Sequence, residues 1–160
     1  MGHTATATLS TTDLAEIGQT LALFAHVCDN RHDDALGLVF TEDIRFEFAR
    51  SGRVLDGLAT LREFLLGLGP DAPDHQTVNT VVLVDPDGTV RALSRYIATL
   101  ADGSATNGEY EDVLVRAAQG GWRIRARRSI HRYPRAPQEA PVPRDEAWRL
   151  SAERLPELAP

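Results

Sequence analysis

A single cysteine, Cys28, in 160 residues excludes an intramolecular disulfide and a cysteine-rich zinc site. It lies within an apolar helical pattern, where a free cysteine acts as a small buried hydrophobe. No apolar run approaches the roughly 18 residues of a membrane span. The opening "MGHTATATLSTTD" lacks the charged and apolar blocks of a signal peptide, so a soluble, cytoplasmic protein without a membrane partner is expected. A net charge of −6 argues against a nucleic-acid partner, which would call for a basic excess. His26, His32 and His131 show no paired spacing, and no metal site is expected. "DPDGT" and "ADGS" are turns, not glycine-rich crossings into a helix, so no phosphate loop and no cofactor are expected.

What is present is the pattern of one domain, long enough to bury roughly 68–70% of its unfolded surface. Residues 1–11 are small and polar and are expected to be flexible. "STTDLAE" supplies cap residues, and Leu14, Ile17, Leu21, Phe24, Ala25 and Cys28 recur at helical spacing as far as Asp29. "RHDDALGLVF" reads as a second, shorter helix, "DIRFEFA" as a strand, and "LATLREFLLGLG" as a third helix. From Asp74 to Tyr133 the chain alternates as a meander of four long strands joined by short turns, beginning with "HQTVNTVVLV", "DPDG" and "TVRALSRYIATL". Helices first and antiparallel strands after them indicate an α+β domain over 12–133. Residues 134–160 begin as a proline-rich connector, "PRAPQEAPVPR". They end in a short amphipathic helix carrying Trp148, Ala152 and Leu155 on one face. Too short to stand alone, that helix should dock over the pocket mouth or on a partner subunit.

This order resembles the SnoaL-like group of the nuclear transport factor 2-like superfamily, which includes polyketide cyclases, scytalone dehydratase and bile-acid dehydratases. The stretches that carry the resemblance are "LFAHVCDNRHDDALGLVFTEDI", "GRVLDGLATLREFL", "DHQTVN" and "GEYEDVLVRAAQGGWRIRARR". The resemblance implies a cone-shaped fold, a bent, mostly antiparallel sheet wrapped around three N-terminal helices with one deep pocket. It also implies a homodimer through the sheet. In the family's dehydratases an Asp ending the first helix faces a His on the first long strand, and these match Asp29 and His75. A further acid on the next-to-last strand matches Asp112. The family's first-helix Tyr falls on Phe24, so the phenol it would offer is absent.

Strand phase can be followed without the resemblance. Trp122, Ile124 and Ala126 alternate with Arg123, Arg125 and Arg127, which places the first set inward and the arginines outward. Tyr110, Asp112 and Leu114 alternate with Glu109 and Glu111; the simplest hairpin register sets Glu111 near Arg125 and Arg127 outside and Asp112 inside. An inward carboxylate is costly unless bonded or functional, and a buried Arg such as Arg128 could hold it in a purely structural pair. His75 shares its phase with Thr77 and Asn79, and Ser94 and Tyr96 share a face of the next strand. Phe24, Asn79, Tyr96, Tyr110, Trp122 and Arg128 are therefore the candidates for binding a small-molecule substrate. "RIRARR" is read as a solvated outer face balanced by Glu109 and Glu111.

The expected function is a cofactor-independent acid–base enzyme, a cyclase, dehydratase or isomerase acting on a polyketide-like oxygenated molecule. His75 carries the proton, Asp29 fixes its tautomer, and Asp112 is the second acid or base. The other reading is a non-catalytic small-molecule binder or assembly module of the same fold.

Overall fold

The computed structural model describes residues 8–156. Residues 1–7, most of the segment expected to be flexible, lie outside that range, whereas Leu9 is buried. Ser10 caps helix α1 (Thr11–Asp29) reciprocally: its hydroxyl accepts from the Asp13 amide at 3.1 Å, and Asp13 accepts from the Ser10 amide at 2.8 Å. Two of the helix's otherwise orphaned donors are thereby satisfied. Ile17, Leu21, Phe24 and Val27 form the buried stripe of α1. Thr20 is buried with them because its hydroxyl donates to the Trp122 carbonyl at 2.9 Å.

The expected second α-helix is a 3-10 helix, Asp33–Leu38, six residues that bury only Leu36. So short a segment makes too few i→i+4 bonds to offset helix nucleation. Strands β1 (Phe40–Phe48) and β2 (Arg53–Asp56) follow, then α2 (Leu58–Gly67). The meander is β3 (Asp74–Val84), β4 (Val90–Thr99), β5 (Ala105–Arg116) and β6 (Trp122–Tyr133). One six-stranded sheet results, in the order β2-β1-β6-β5-β4-β3, with β1 and β6 parallel and every other pair antiparallel. The curved sheet closes on α1, which packs on β3 and β6, and on α2, which packs on β1 and β2. Among the described residues no helix is long and apolar enough to cross a membrane.

Two bulges decide which residues face the core. On β6, Ile124 pairs with Leu114 but Ala126 pairs with Val113, so Arg125 is an extra residue. An extra residue reverses the alternation beyond it. Arg127, Ser129 and His131 therefore point inward, and Ala126, Arg128 and Ile130 outward. This corrects the outward placement of Arg127. On β3, Val78 pairs with Arg95 and Val81 with Leu93, with Asn79 between them at φ 53°. Asparagine tolerates that left-handed conformation better than most residues.

The outer sheet face is not open to solvent, because the chain's own tail crosses it. Arg144 pairs with Glu109, the Arg91 guanidinium lies 4.9 Å from the Trp148 ring centre, and Arg154 Nη2 meets Asp85 at 2.6 Å. Beneath this cover Leu83 is 0% and Ile130 3% exposed, although neither belongs to the main core between helices and sheet. In place of the expected amphipathic helix the tail holds two three-residue 3-10 turns, Glu146–Trp148 and Ala152–Arg154. Its docking comes from arginine contacts, and Leu155 stays exposed. The tail thus runs from Glu139, which pairs with Arg50, along its own sheet, on the very face that a homodimer through the sheet would use.

Candidate active site

Asp29 is the last residue of α1 and His75 the second of β3, and one carboxylate joins the two elements. Asp29 Oδ2 accepts from the His75 backbone amide at 2.6 Å, and Oδ1 lies 2.9 Å from His75 Nδ1. An ionised carboxylate only accepts, so the proton of a neutral imidazole is on Nδ1 and Nε2 keeps its lone pair. Nε2 forms no hydrogen bond among the described residues. Arg31 secures this corner: at φ 57° it turns the chain out of α1. Its guanidinium donates to the Leu68 carbonyl at 2.6 Å and the Leu65 carbonyl at 3.3 Å at the end of α2.

His75 stands where two lobes of one cleft meet. An inner, apolar lobe of about 200 Å³ lies among Phe24, Phe46, Leu61 and Leu65, with Asp29 in its wall. An outer lobe of about 450 Å³ opens past Arg50, Arg53, Tyr96, Thr106 and His131. Phe48, Phe64, His75, Tyr110 and Ser129 line both. Tyr96 and Tyr110 stack at 4.7 Å, and the Tyr96 ring lies directly over Gly108, where any Cβ would strike the ring and the Ile130 carbonyl. Burial pushes both phenols above their ordinary range, a bond to Ser129 opposing it at Tyr96 and Arg127 opposing it at Tyr110. Both therefore remain protonated donors near neutral pH.

Behind this wall Asp112 and Arg127 form a fully buried pair, with Nε and Nη2 reaching the two carboxylate oxygens at 2.7 and 2.8 Å. Burial pushes the Asp112 carboxyl up and Arg127 opposes it; two guanidinium bonds to two oxygens describe the ionised pair. Arg127 is held charged, because the Asp112 carboxylate outweighs what burial alone would lower.

Of the residues singled out from the sequence, Asp29, His75, Phe24, Tyr96 and Tyr110 converge on the cleft. Four do not. Asp112 spends both oxygens on Arg127 and does not line the cavity, which places it behind the cleft wall rather than in the cleft. Its partner is Arg127 rather than Arg128, which the bulge turns outward to Glu47 and Glu111. Trp122 sits at the far end of α1, its indole donating to Asp13 at 3.2 Å. Asn79 is exposed on its bulge. Sequence reasoning missed Ser129 and His131, hidden by the phase reversal, and Arg31, Arg50 and Arg53, which lie in turns or an edge strand without periodicity. The usable signal was an imbalance: "RIRARR" carries more arginines than the two outer glutamates can pair.

The SnoaL-like domain model matches residues 10–128. Among curated proteins none matches the sequence significantly. Similar solved structures include ActVI-ORFA from Streptomyces coelicolor, 24% identical with a TM-score of 0.64, covering 76% of this chain and 98% of that one. A scytalone-dehydratase-like protein from Novosphingobium aromaticivorans is 18% identical with a TM-score of 0.62, covering 84% and 96%. Nuclear transport factor 2 from Cryptosporidium parvum is 12% identical with a TM-score of 0.64, covering 78% and 98%. At these identities the likeness is one of fold.

Proposed function

We propose that this chain, which belongs to the SnoaL-like domain family, is an acid–base enzyme acting on a small oxygenated, partly apolar molecule of polyketide-like type. The reaction is a dehydration, ring closure or isomerisation that begins with removal of a proton next to a carbonyl. The observation that carries this reading is the Asp29–His75 contact, with Nδ1 held at 2.9 Å and Nε2 free where the two lobes join. Nε2 takes the proton; Asp29 accepts from Nδ1–H and stabilises the imidazolium, as an orienting carboxylate does in other histidine-based sites. The Tyr96 and Tyr110 phenols, kept protonated by burial, line the cleft as donors for a carbonyl oxygen in place of the phenol missing at Phe24. Water exclusion comes from the aromatic walls of the inner lobe.

The test needs no knowledge of the natural substrate. In deuterated buffer, exchange of the protons next to the carbonyl of 1-tetralone is followed by NMR. The wild-type protein is expected to accelerate exchange and the His75→Ala protein to return it to the buffer rate. Equal rates with both proteins would favour the non-catalytic binder, whose cavity would be identical but whose histidine would have no task.

A further inference from the structure

The two lobes differ in charge as well as in polarity, and the difference points to a substrate class. Ionisable groups on the outer lobe are Arg50, Arg53, His75 and His131 with two tyrosines; no carboxylate lines it. That is unexpected in a chain of net charge −6. Of the arginines and histidines, all but one already have a partner. Arg50 meets Glu139 of the tail at 2.9 Å, His75 has Asp29, and His131 Nε2 lies 2.6 Å from the Pro134 carbonyl. Arg53 forms no ion pair among the described residues. Its guanidinium rests 4.6 Å from the centre of the Phe64 ring, and Phe64 lines both lobes. A cation stacked on an aromatic wall is held in place, with its planar fork of donors left for an oxyanion.

We infer that the cleft takes a carboxylate-bearing substrate, its apolar ring in the inner lobe and its carboxylate against Arg53, with Arg50 beside it. This deepens the acid–base reading and rests on it for the reaction. The reacting carbon then lies between ring and carboxylate, because His75 is at the junction of the lobes. The Thr106 hydroxyl also lines the outer lobe. A neutral molecule of the same shape would leave Arg53 without its anion and gain nothing from the outer lobe.

Binding of 2-naphthylacetate and of its neutral isostere 2-naphthylacetamide, measured by isothermal titration calorimetry at low and high salt, tests this. The acid is expected to bind the wild-type protein at least tenfold more tightly than the amide, and salt should narrow the gap. Arg53→Gln should abolish the preference, Arg53→Lys should restore part of it, and Arg50→Gln should reduce it by a smaller factor. His75→Ala should keep it, since that histidine is not the anion's partner; failure of the proton-transfer reading is thereby separable from failure of this one. Equal affinity for acid and amide in the wild type, a preference surviving Arg53→Gln, or no binding of either compound would each overturn the inference.

Discussion

Arg127 packs against the rings of both Phe24 and Tyr110, its guanidinium carbon 4.1 Å from each centroid, and clasps Asp112 through two hydrogen bonds. One ring comes from α1 and the other from β5, so a single cation joins helix, sheet and cavity wall. The pair braces the wall of the cleft from behind.

Removing either partner should therefore act through stability. Asp112→Asn leaves a buried guanidinium without its counter-charge, at a cost of about 3–5 kcal/mol. Urea denaturation should show the loss, and Arg127→Met should show one of similar size. The Asp112→Asn, Arg127→Met double variant should cost less than the two singles summed, because the uncompensated charge is then gone. An unchanged midpoint in Asp112→Asn would contradict the pairing.

Asp29→Asn and His75→Ala should each slow tetralone exchange at least tenfold while circular dichroism stays native, since positioned proton transfer contributes about 10²–10⁴-fold to rate. The Asn variant keeps shape and removes charge. Should it retain full rate, orientation of the imidazole rather than charge would be what Asp29 supplies.

The resemblance is what paired these two residues, and it could be placed on the sequence because each sits at an element end ahead of any irregularity. Periodicity carried α1 unbroken to Asp29, and alternation ran intact from His75 to Thr77. The same counting failed beyond Arg125 and at Asn79. A bulge inserts one residue through backbone pairing, and nothing in the local side chains marks where it falls. Asp112 kept its inward face because the extra residue lies on β6 and not on β5, while its partner moved from the outer set to the inner one. The tail was misread for another cause: its apolar residues have helical spacing, but arginine contacts to Glu109, Trp148 and Asp85 fix it in short turns.

Cys28 gives a simple chemical check. Burial pushes its thiol up to about 12, with Arg127 opposing and Asp29 adding to the rise. Only the thiolate is nucleophilic. Iodoacetamide at pH 8 should leave the folded protein unmodified and alkylate it promptly in denaturant. Rapid alkylation of the native protein would mean that the thiol, which lines the inner lobe, is reached through the cleft and ionises more readily than its burial allows.

Acid should loosen the other end of α1. Bonds from the Ser10 backbone and side chain, with Trp122 and Arg116 adding to them, lower the Asp13 carboxyl to about 2. A carboxyl with a lowered folded pKa stabilises the fold above its unfolded value near 3.8 and loses that contribution as pH falls towards 2. Stability should drop across that window in the wild type and drop less steeply in Asp13→Asn. Parallel profiles for the two proteins would dismiss this carboxylate as a source of acid sensitivity.

The tail carries the last prediction. Deleting residues 136–160 strips Arg144 from Glu109, Arg154 from Asp85 and Trp148 from Arg91, and uncovers Leu83 and Ile130. Exposing two fully buried aliphatic side chains costs about 1.5–3 kcal/mol each, so the midpoint of unfolding should fall clearly. The uncovered face is also the broad outer surface of the sheet, and a second copy could rebury the same residues. Light scattering should then find the full-length chain monomeric, with its face already occupied, and the shortened chain associating as concentration rises. If instead the full-length protein is a dimer of undiminished stability after the deletion, another surface makes that contact and the tail only lies upon the sheet.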